Sequence, residues 1–531
     1  MKMGKVLILI MTTALLGSCA SVNKYNRNLN DLRNEEQFKA DVDFIHKKLK
    51  KLHPNLYWYI SKKDLDFKFD SLKQTINTPM TSADFYLKLS PVIASVKQGH
   101  MQLFPPVKKM TQKEQTSVRN LGTSPLSRFE FEGFNDRIYI VKNNSDDKSI
   151  IAGTEVISVD SIRPQEMISK YINTFSSDGY NKTFIDRRLN KDFPTFFFYQ
   201  AGITDSVLCE LKYNDTIKTV YLKRRTTKIN SINEKSAEQI DIQREQSKKE
   251  LKKRQVQGYD KLTKTYSKNL SFVNPDNSIA ILKVNDFSKG NYKEFYSRTF
   301  KKLDSLKTST LILDLRDNLG GKSRDIYDLY SYLVDSDYYF IDKPEVASKW
   351  SLLHTNDFRG RSFFSKIVFI AFCPLRIVPI GVTFFSVKKG PNNKYYYASS
   401  MSRLGHPKPN NFKGKVYVLI NGGSFSASSI LSSNLKGSNR AVFVGEETGG
   451  AFNGFVAGSM PTFTLPKSNL KITFGLTLIQ PYYKTDTDGR GIFPDIAIKP
   501  SLFDRINAID PELKWVLDEI NGQHILHGRS N

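Results

Sequence analysis

The sequence predicts a multidomain α+β chain whose second half is an α/β core. Three observations carry this. The apolar runs Thr310-Leu311-Ile312-Leu313-Asp314-Leu315 and Val416-Tyr417-Val418-Leu419-Ile420 are each followed by glycines and then a helical pattern, the alternation that layers helices on a buried sheet. Residues 117–225 instead alternate with period two, as a small β-rich module does. The length of 531 residues exceeds what one hydrophobic core supports, and 39% hydrophobic with 12% aromatic residues is ample for several.

That composition excludes a disordered or low-complexity chain. Lys and Arg exceed Asp and Glu by 79 − 53 = 26, so anionic partners such as a membrane surface, nucleic acid or acidic substrates come into view. No nucleic-acid motif accompanies the spread-out basic residues, which argues against that partner. Cys19, Cys209 and Cys373 are the three cysteines, none closely paired, and no HExxH pattern occurs. A disulfide scaffold and a cysteine-based zinc site are excluded, and no metal or cofactor is implied.

Residues 1–18 read as a signal peptide, with Lys2 and Lys5 ahead of an apolar run over 6–16 that is too short to span a bilayer. The run ends in Leu16-Gly17-Ser18-Cys19, which resembles a bacterial lipobox and implies cleavage before Cys19 and acylation of its thiol. Ala20 after that cysteine implies sorting to the outer membrane. A lipid tether beside a basic surface predicts a membrane-anchored lipoprotein of the periplasm or cell envelope.

Residues 19–116 form an N-terminal helical region. Phe38, Val42, Ile45, Leu49 and Leu52 fall at helical spacing behind Asn34 and Gln37. A second helix begins at Thr81, with Asp84 completing a capping box, and Gly99 is its expected stop, leaving His100 just beyond the helix end. Residues 226–272 are polar and charged and read as a linker or weak helical arm. The core spans 273–500 and contains an insertion at 340–400. Within the insertion, residues 367–385 are strongly apolar yet interrupted by Pro374, Arg376 and Pro379. That pattern fits a lid or membrane-dipping loop as well as a buried hairpin. Residues 501–531 are a terminal helix and tail.

The chemistry concentrates at Asn421-Gly422-Gly423-Ser424-Phe425-Ser426-Ala427-Ser428. A buried strand running through glycines into a helix puts a serine where free N–H groups point outward, the logic of a nucleophile elbow. Serines at helix starts are commonly caps, and Ser424 fits that role. A serine needs a base. His100 follows a glycine at an element boundary, whereas His46 and His53 flank the first helix and His524 and His527 lie in the tail. An acidic orienter is expected in the polar turn at Asp488, with Asp486 and Asp495 as competitors.

Taken together, Asp314-Leu315-Arg316-Asp317-Asn318-Leu319-Gly320-Gly321, Ser424-Phe425-Ser426-Ala427-Ser428, Gly445-Glu446-Glu447-Thr448-Gly449-Gly450 and Gly489-Arg490-Gly491-Ile492-Phe493-Pro494-Asp495 resemble, in order, the motifs of the tail-specific, or C-terminal-processing, serine peptidase family. Ser95-Val96-Lys97-Gln98-Gly99-His100 is similar to the histidine segment of its tricorn-like branch, which also includes a retinoid-binding relative. The resemblance implies a ClpP/crotonase-like α/β core and a PDZ-like fold for residues 117–225. It implies Ser426 as nucleophile, oxyanion donors at Ala427 and at Gly320 or Gly321, and a peptide or protein substrate. Many members use a lysine base in the loop that here reads Gly450-Ala451, and commonly carry Glu where Ser429 stands. Both departures favour a Ser426–His100–Asp488 arrangement. The expectation is a lipid-anchored serine endopeptidase acting on peptides or polypeptide C-terminal regions outside the cytoplasm. The alternative is a non-catalytic binding lipoprotein on the same scaffold, and the convergence of Ser426, His100 and a carboxylate separates the two.

Overall fold

The computed structural model describes residues 22–224, 248–261, 263–354 and 381–522. The leader, Cys19, much of the charged linker, most of the apolar run at 367–385 and the two tail histidines lie outside the described residues.

The N-terminal region opens with α1 (Glu35–Leu52), whose first free N–H groups are capped by Asn34, its side chain accepting from the Gln37 N–H. Its apolar stripe, Phe38, Val42, Ile45 and Leu49, is fully buried against α2 (Lys62–Gln74) and α3 (Ser82–Ala94). The capping box at α3 forms as the sequence predicts, Thr81 and Asp84 each bonding the other's backbone N–H. The expected stop is different. The helix ends five residues before Gly99, and Lys97 takes the left-handed conformation (φ 57°). Gly99 is needed for another reason: a Cβ there would sit 2.7 Å from the Phe425 ring. Past His100, β1 (Gln102–Phe104) pairs antiparallel with Lys471–Thr473, joining the N-terminal region to the second half of the chain.

The β-rich module is a five-stranded antiparallel meander, β2 (Phe129–Phe134), β3 (Arg137–Asn143), β4 (Thr154–Val159), β5 (Ser206–Tyr213) and β6 (Thr216–Lys223), each strand paired with the next. Between β4 and β5 run α4 (Thr183–Lys191) and α5 (Phe193–Ala201). The aromatic run in α5 serves packing: Phe193, Phe196 and Phe197 are buried in the same apolar core as α1 and α3.

The α/β core follows: β7 (Lys268–Phe272), β8 (Ile279–Val284), α6 (Tyr292–Ser305), β9 (Thr310–Asp314), α7 (Ser323–Ser331), β10 (Lys415–Ile420), α8 (Ala427–Gly437), β11 (Val442–Gly445), and a final strand β12 (Ile496–Ala497) followed by α9 (Pro511–Ile520). The sheet order is β12-β11-β10-β9-β8-β7, parallel throughout except for the antiparallel edge strand β7. Alternate residues of β9 face opposite layers. Leu311 and Leu313 pack toward α6, α7 and α8, and Ile312 packs toward Val516 of α9, so both faces are covered, as a parallel sheet requires. In the insertion, three described strands, Glu345–Val346, Val387–Lys389 and Tyr395–Tyr397, join Phe455–Ala457 and Thr477–Ile479 in a second five-stranded sheet.

Candidate active site

At the carboxyl end of the parallel sheet, β10 runs into Asn421-Gly422-Gly423 and turns sharply at Ser426 before α8 begins at Ala427. Ser426 has φ 59° and ψ −119°. A non-glycine residue there costs of order 1–3 kcal/mol and persists only where its surroundings hold it. The surroundings do so residue by residue. Ser424 is a structural serine but not the helix cap, a position Ser426 takes: its hydroxyl donates to the Leu315 carbonyl at 2.8 Å and accepts from the Asn421 N–H. The Ser428 hydroxyl donates to the Asn318 carbonyl at 2.8 Å. Ser429 stands against Gly450, where a Cβ would lie 2.2 Å from the serine oxygen. The three flanking serines are buried and bonded to backbone carbonyls, while Ser426 lines a cavity of about 570 Å³ together with His100, Gly321 and Ala427.

Of the two glycines expected as oxyanion donors, only one keeps its N–H unused. The Gly320 N–H donates to the Asn318 side chain at 2.9 Å and its carbonyl accepts from Phe287, so Gly320 is fully used. Gly321 is bridged to Phe287 through its neighbours, the Lys322 N–H bonding the Phe287 carbonyl, which turns the Gly321 N–H the other way. Among the described residues no protein acceptor takes the N–H of Gly321 or of Ala427. Gly320 has a different indispensable property: at φ 100°, a Cβ on it would meet the Ser426 Cβ at 2.6 Å and the Ala427 nitrogen at 2.8 Å.

His100 reaches the cavity from the other side. Its ring is sandwiched between Phe425 and Phe455, with centroids 4.6 and 4.5 Å away. Phe425 is the residue before the nucleophile, so the stack itself fixes the imidazole beside Ser426. The carboxylate facing His100 is Asp178, fully buried, with Oδ1 3.6 Å from His100 Nδ1 and accepting the Gly99 N–H at 2.7 Å. Asp178 precedes α4, in the stretch Ser176-Ser177-Asp178-Gly179-Tyr180. The sequence reading did not single it out, because a Ser-rich segment with Asp-Gly reads as an ordinary turn.

Asp488, expected as the orienter, lies elsewhere. Its carboxylate accepts from the Trp58 indole N–H at 2.7 Å and from Asn453 at 3.1 Å, and the residue is exposed. Asp486 is also exposed, and Asp495 caps the Phe443 N–H and pairs with Lys436. The physical reason is loop packing. The Glu447 carboxylate grips Arg490 and the Gly491 N–H, and Gly179 and Tyr180 press on Gly489 so closely that the Tyr180 N–H donates to the Gly489 carbonyl at 2.6 Å. The Asp488 turn therefore buttresses the Asp178 segment from behind. The lysine-base slot holds Ala451, fully buried and bridged to Gly491.

The other candidate histidines are structural. His46 Nε2 lies 2.8 Å from the Asp66 carboxylate, and the ring stacks on Phe69. His53 is buried among apolar groups, and desolvation pushes its imidazole down to about 3. A charged network braces the oxyanion loop from the module side: Asp317 receives the Arg187 guanidinium in a bidentate pair (Nη2–Oδ2 2.7 Å) and Lys191 at 2.7 Å. Burial alone would raise the Asp317 carboxyl, but these two cations hold it well below the usual carboxylate range.

Residues 278–498 match the family model of peptidase family S41. The α/β core of this chain is therefore an S41 peptidase core. It is a serine-type peptidase. The S41 core and the regions around it share their fold with mature CPAF, 14% identical with a TM-score of 0.56 over 92% of this chain and 98% of that one. A CPAF point mutant gives 16% and 0.57 over 89% and 94%. The photosystem II D1 C-terminal processing protease is 14% identical over 87% of this chain and 94% of that one, at a TM-score of 0.39. No curated protein matches the chain.

Proposed function

We propose that this S41 peptidase is a lipid-anchored endopeptidase that cuts peptides or polypeptide C-terminal regions outside the cytoplasm, with Ser426, His100 and Asp178 as its catalytic group. The Ser426 oxygen attacks the scissile carbonyl and passes its proton to His100. The Gly321 and Ala427 N–H groups receive the developing oxyanion. His100 then protonates the leaving amine, and water resolves the acyl-enzyme by the same path in reverse. Asp178, dry and bonded to the backbone N–H next to His100, fixes the imidazole's orientation and offsets its charge.

The observation that carries the reading is the strained Ser426 sharing one cavity with His100 and two free N–H groups. A binding-only role would need none of these to coincide, so their convergence favours catalysis over the binding alternative. The test is labelling with a fluorophosphonate. Wild type should label and hydrolyse peptides. Ser426→Ala should do neither at unchanged melting temperature, while Ser424→Ala and Ser428→Ala keep the label. Labelling of Ser426→Ala would refute the assignment. The anchor rests on Cys19: Cys19→Ser should move the protein from the membrane to the soluble fraction or block its processing.

A further inference from the structure

The cavity that holds Ser426 is far larger and more apolar than the chemistry needs. Beyond the nucleophile it extends along Ile326, Phe340, Ile341, Ile430, Phe455 and Met460. The first four come from α7, α8 and the segment entering the insertion, and Phe455 from the second sheet. Ala427 and Ala457 also line it and keep it open, being the smallest side chains on their elements. The polar members beyond Ser426 and His100, namely Ser323, Thr383, Tyr397, Ser399, Ser459 and Thr477, carry no charge, and Lys322 is exposed. Among the described residues no acidic side chain lines the cavity.

Position decides which part of a substrate enters. Ser426, Ala427 and Gly321 all belong to this cavity's wall, so the carbonyl under attack is held at its edge. The side chain on the acyl side branches from the Cα bonded to that carbonyl carbon, which directs it into the space beside the two oxyanion donors. We infer that this cavity is the pocket for the residue whose carbonyl is cleaved, and that it selects a large uncharged apolar side chain such as leucine, methionine or phenylalanine. Burying a charged side chain there without a partner is costly, and a small one leaves apolar wall unfilled. The inference rests on Ser426 being the nucleophile.

Peptidyl diphenyl phosphonates that differ only in the residue mimicking the cleaved one test it, with a plain fluorophosphonate as control. Leucine and phenylalanine probes should label Ser426 at least roughly tenfold faster than alanine, and far faster than aspartate or lysine. Ala457→Leu, which fills the pocket, should bring alanine level with or ahead of phenylalanine while fluorophosphonate labelling persists. Should that variant fail to fold, Met460→Ala, which enlarges the pocket from its partly exposed edge, should shift preference further toward phenylalanine. Equal rates for all probes, or faster labelling by a charged one, with fluorophosphonate labelling intact would overturn the pocket and leave the nucleophile standing. Absence of labelling by every reagent would overturn both.

Discussion

The two shoulders of the catalytic cleft are built in opposite ways. On the nucleophile side, Ser424, Ser428, Asn421 and Asn318 all spend their side chains on nearby backbone groups of the same sheet end. The result is a turn held at a strained φ by short-range bonds. On the histidine side, both ring nitrogens of His100, the amide of Gln98, the hydroxyls of Ser176 and Ser177 and one oxygen of Asp178 are buried without a hydrogen bond to protein. That side is positioned by stacking and by loop-on-loop contact between segments 309 residues apart, as at Tyr180 and Gly489. One shoulder is specified by hydrogen bonds that tie the ends of two neighbouring strands of one sheet, Leu315 and Asn318 to Ser424 and Ser428, and the other by stacking and loop packing. They therefore respond differently to substitution.

The largest loss should come from the base itself. His100→Ala should lower kcat/KM on the order of 10³-fold or more, as removal of one member of a coupled triad does, with the fluorophosphonate rate as readout. Next is the rigid shoulder. Gly320→Ala drives a Cβ into Ser426 and the Ala427 nitrogen, and displacing an oxyanion donor should cost about 10²–10³-fold in kcat at little change in KM. A wild-type kcat in that variant would show that the tight turn is not needed. Gly99→Ala presses chiefly on a phenylalanine ring, with the Asp178 nitrogen at 3.1 Å and neither Ser426 nor the Ala427 nitrogen among its nearest atoms, so its loss should be smaller than that of Gly320→Ala. The reverse order would break the contrast between shoulders.

The brace between module and core should matter less to chemistry than to stability. Arg187→Met removes the bidentate partner of Asp317. The cost should be about 2 kcal/mol, below that of a fully buried pair because Asp317 is partly exposed, with kcat falling less than tenfold. The smallest expected effect on turnover belongs to His53, whose burial shows instead as a pH dependence of stability. His53 is neutral in the fold and titrates near 3, whereas an unfolded imidazole binds its proton at about 6.5. Its contribution is therefore complete above about 6.5 and is lost as pH falls toward 3, at up to ~1.4 kcal/mol per pH unit. His53→Leu should show a shallower loss than wild type in urea titrations across that window.

This contrast also explains what the sequence could disclose. The strand, glycines and small residues around Ser426 are contiguous, so local pattern reveals the elbow, and the ordered motifs reveal the S41 core. The capping boxes and apolar stripes of the N-terminal helices are legible for the same reason. His100 was visible as a boundary residue, but Gly99 beside it looked like a helix stop when its role is to admit the Phe425 ring. Asp178 carries no local signal. Its significance depends on a fold that brings the segment before α4 under His100, and Asp488 looked better because it sits in a motif. The choice between Gly320 and Gly321 likewise needed the bond from Gly320 to Asn318.

The identity of the orienting carboxylate is therefore the most direct test of the account. Asp178→Asn and Asp488→Asn should be compared by kcat/KM on one neutral peptide, with melting temperatures measured in parallel. Asp178→Asn should lose on the order of 10³-fold or more, as a triad aspartate does, and Asp488→Asn less than about tenfold, since it only loosens a turn held also by Glu447 and Arg490. A large loss in Asp488→Asn with near-normal turnover in Asp178→Asn would contradict it.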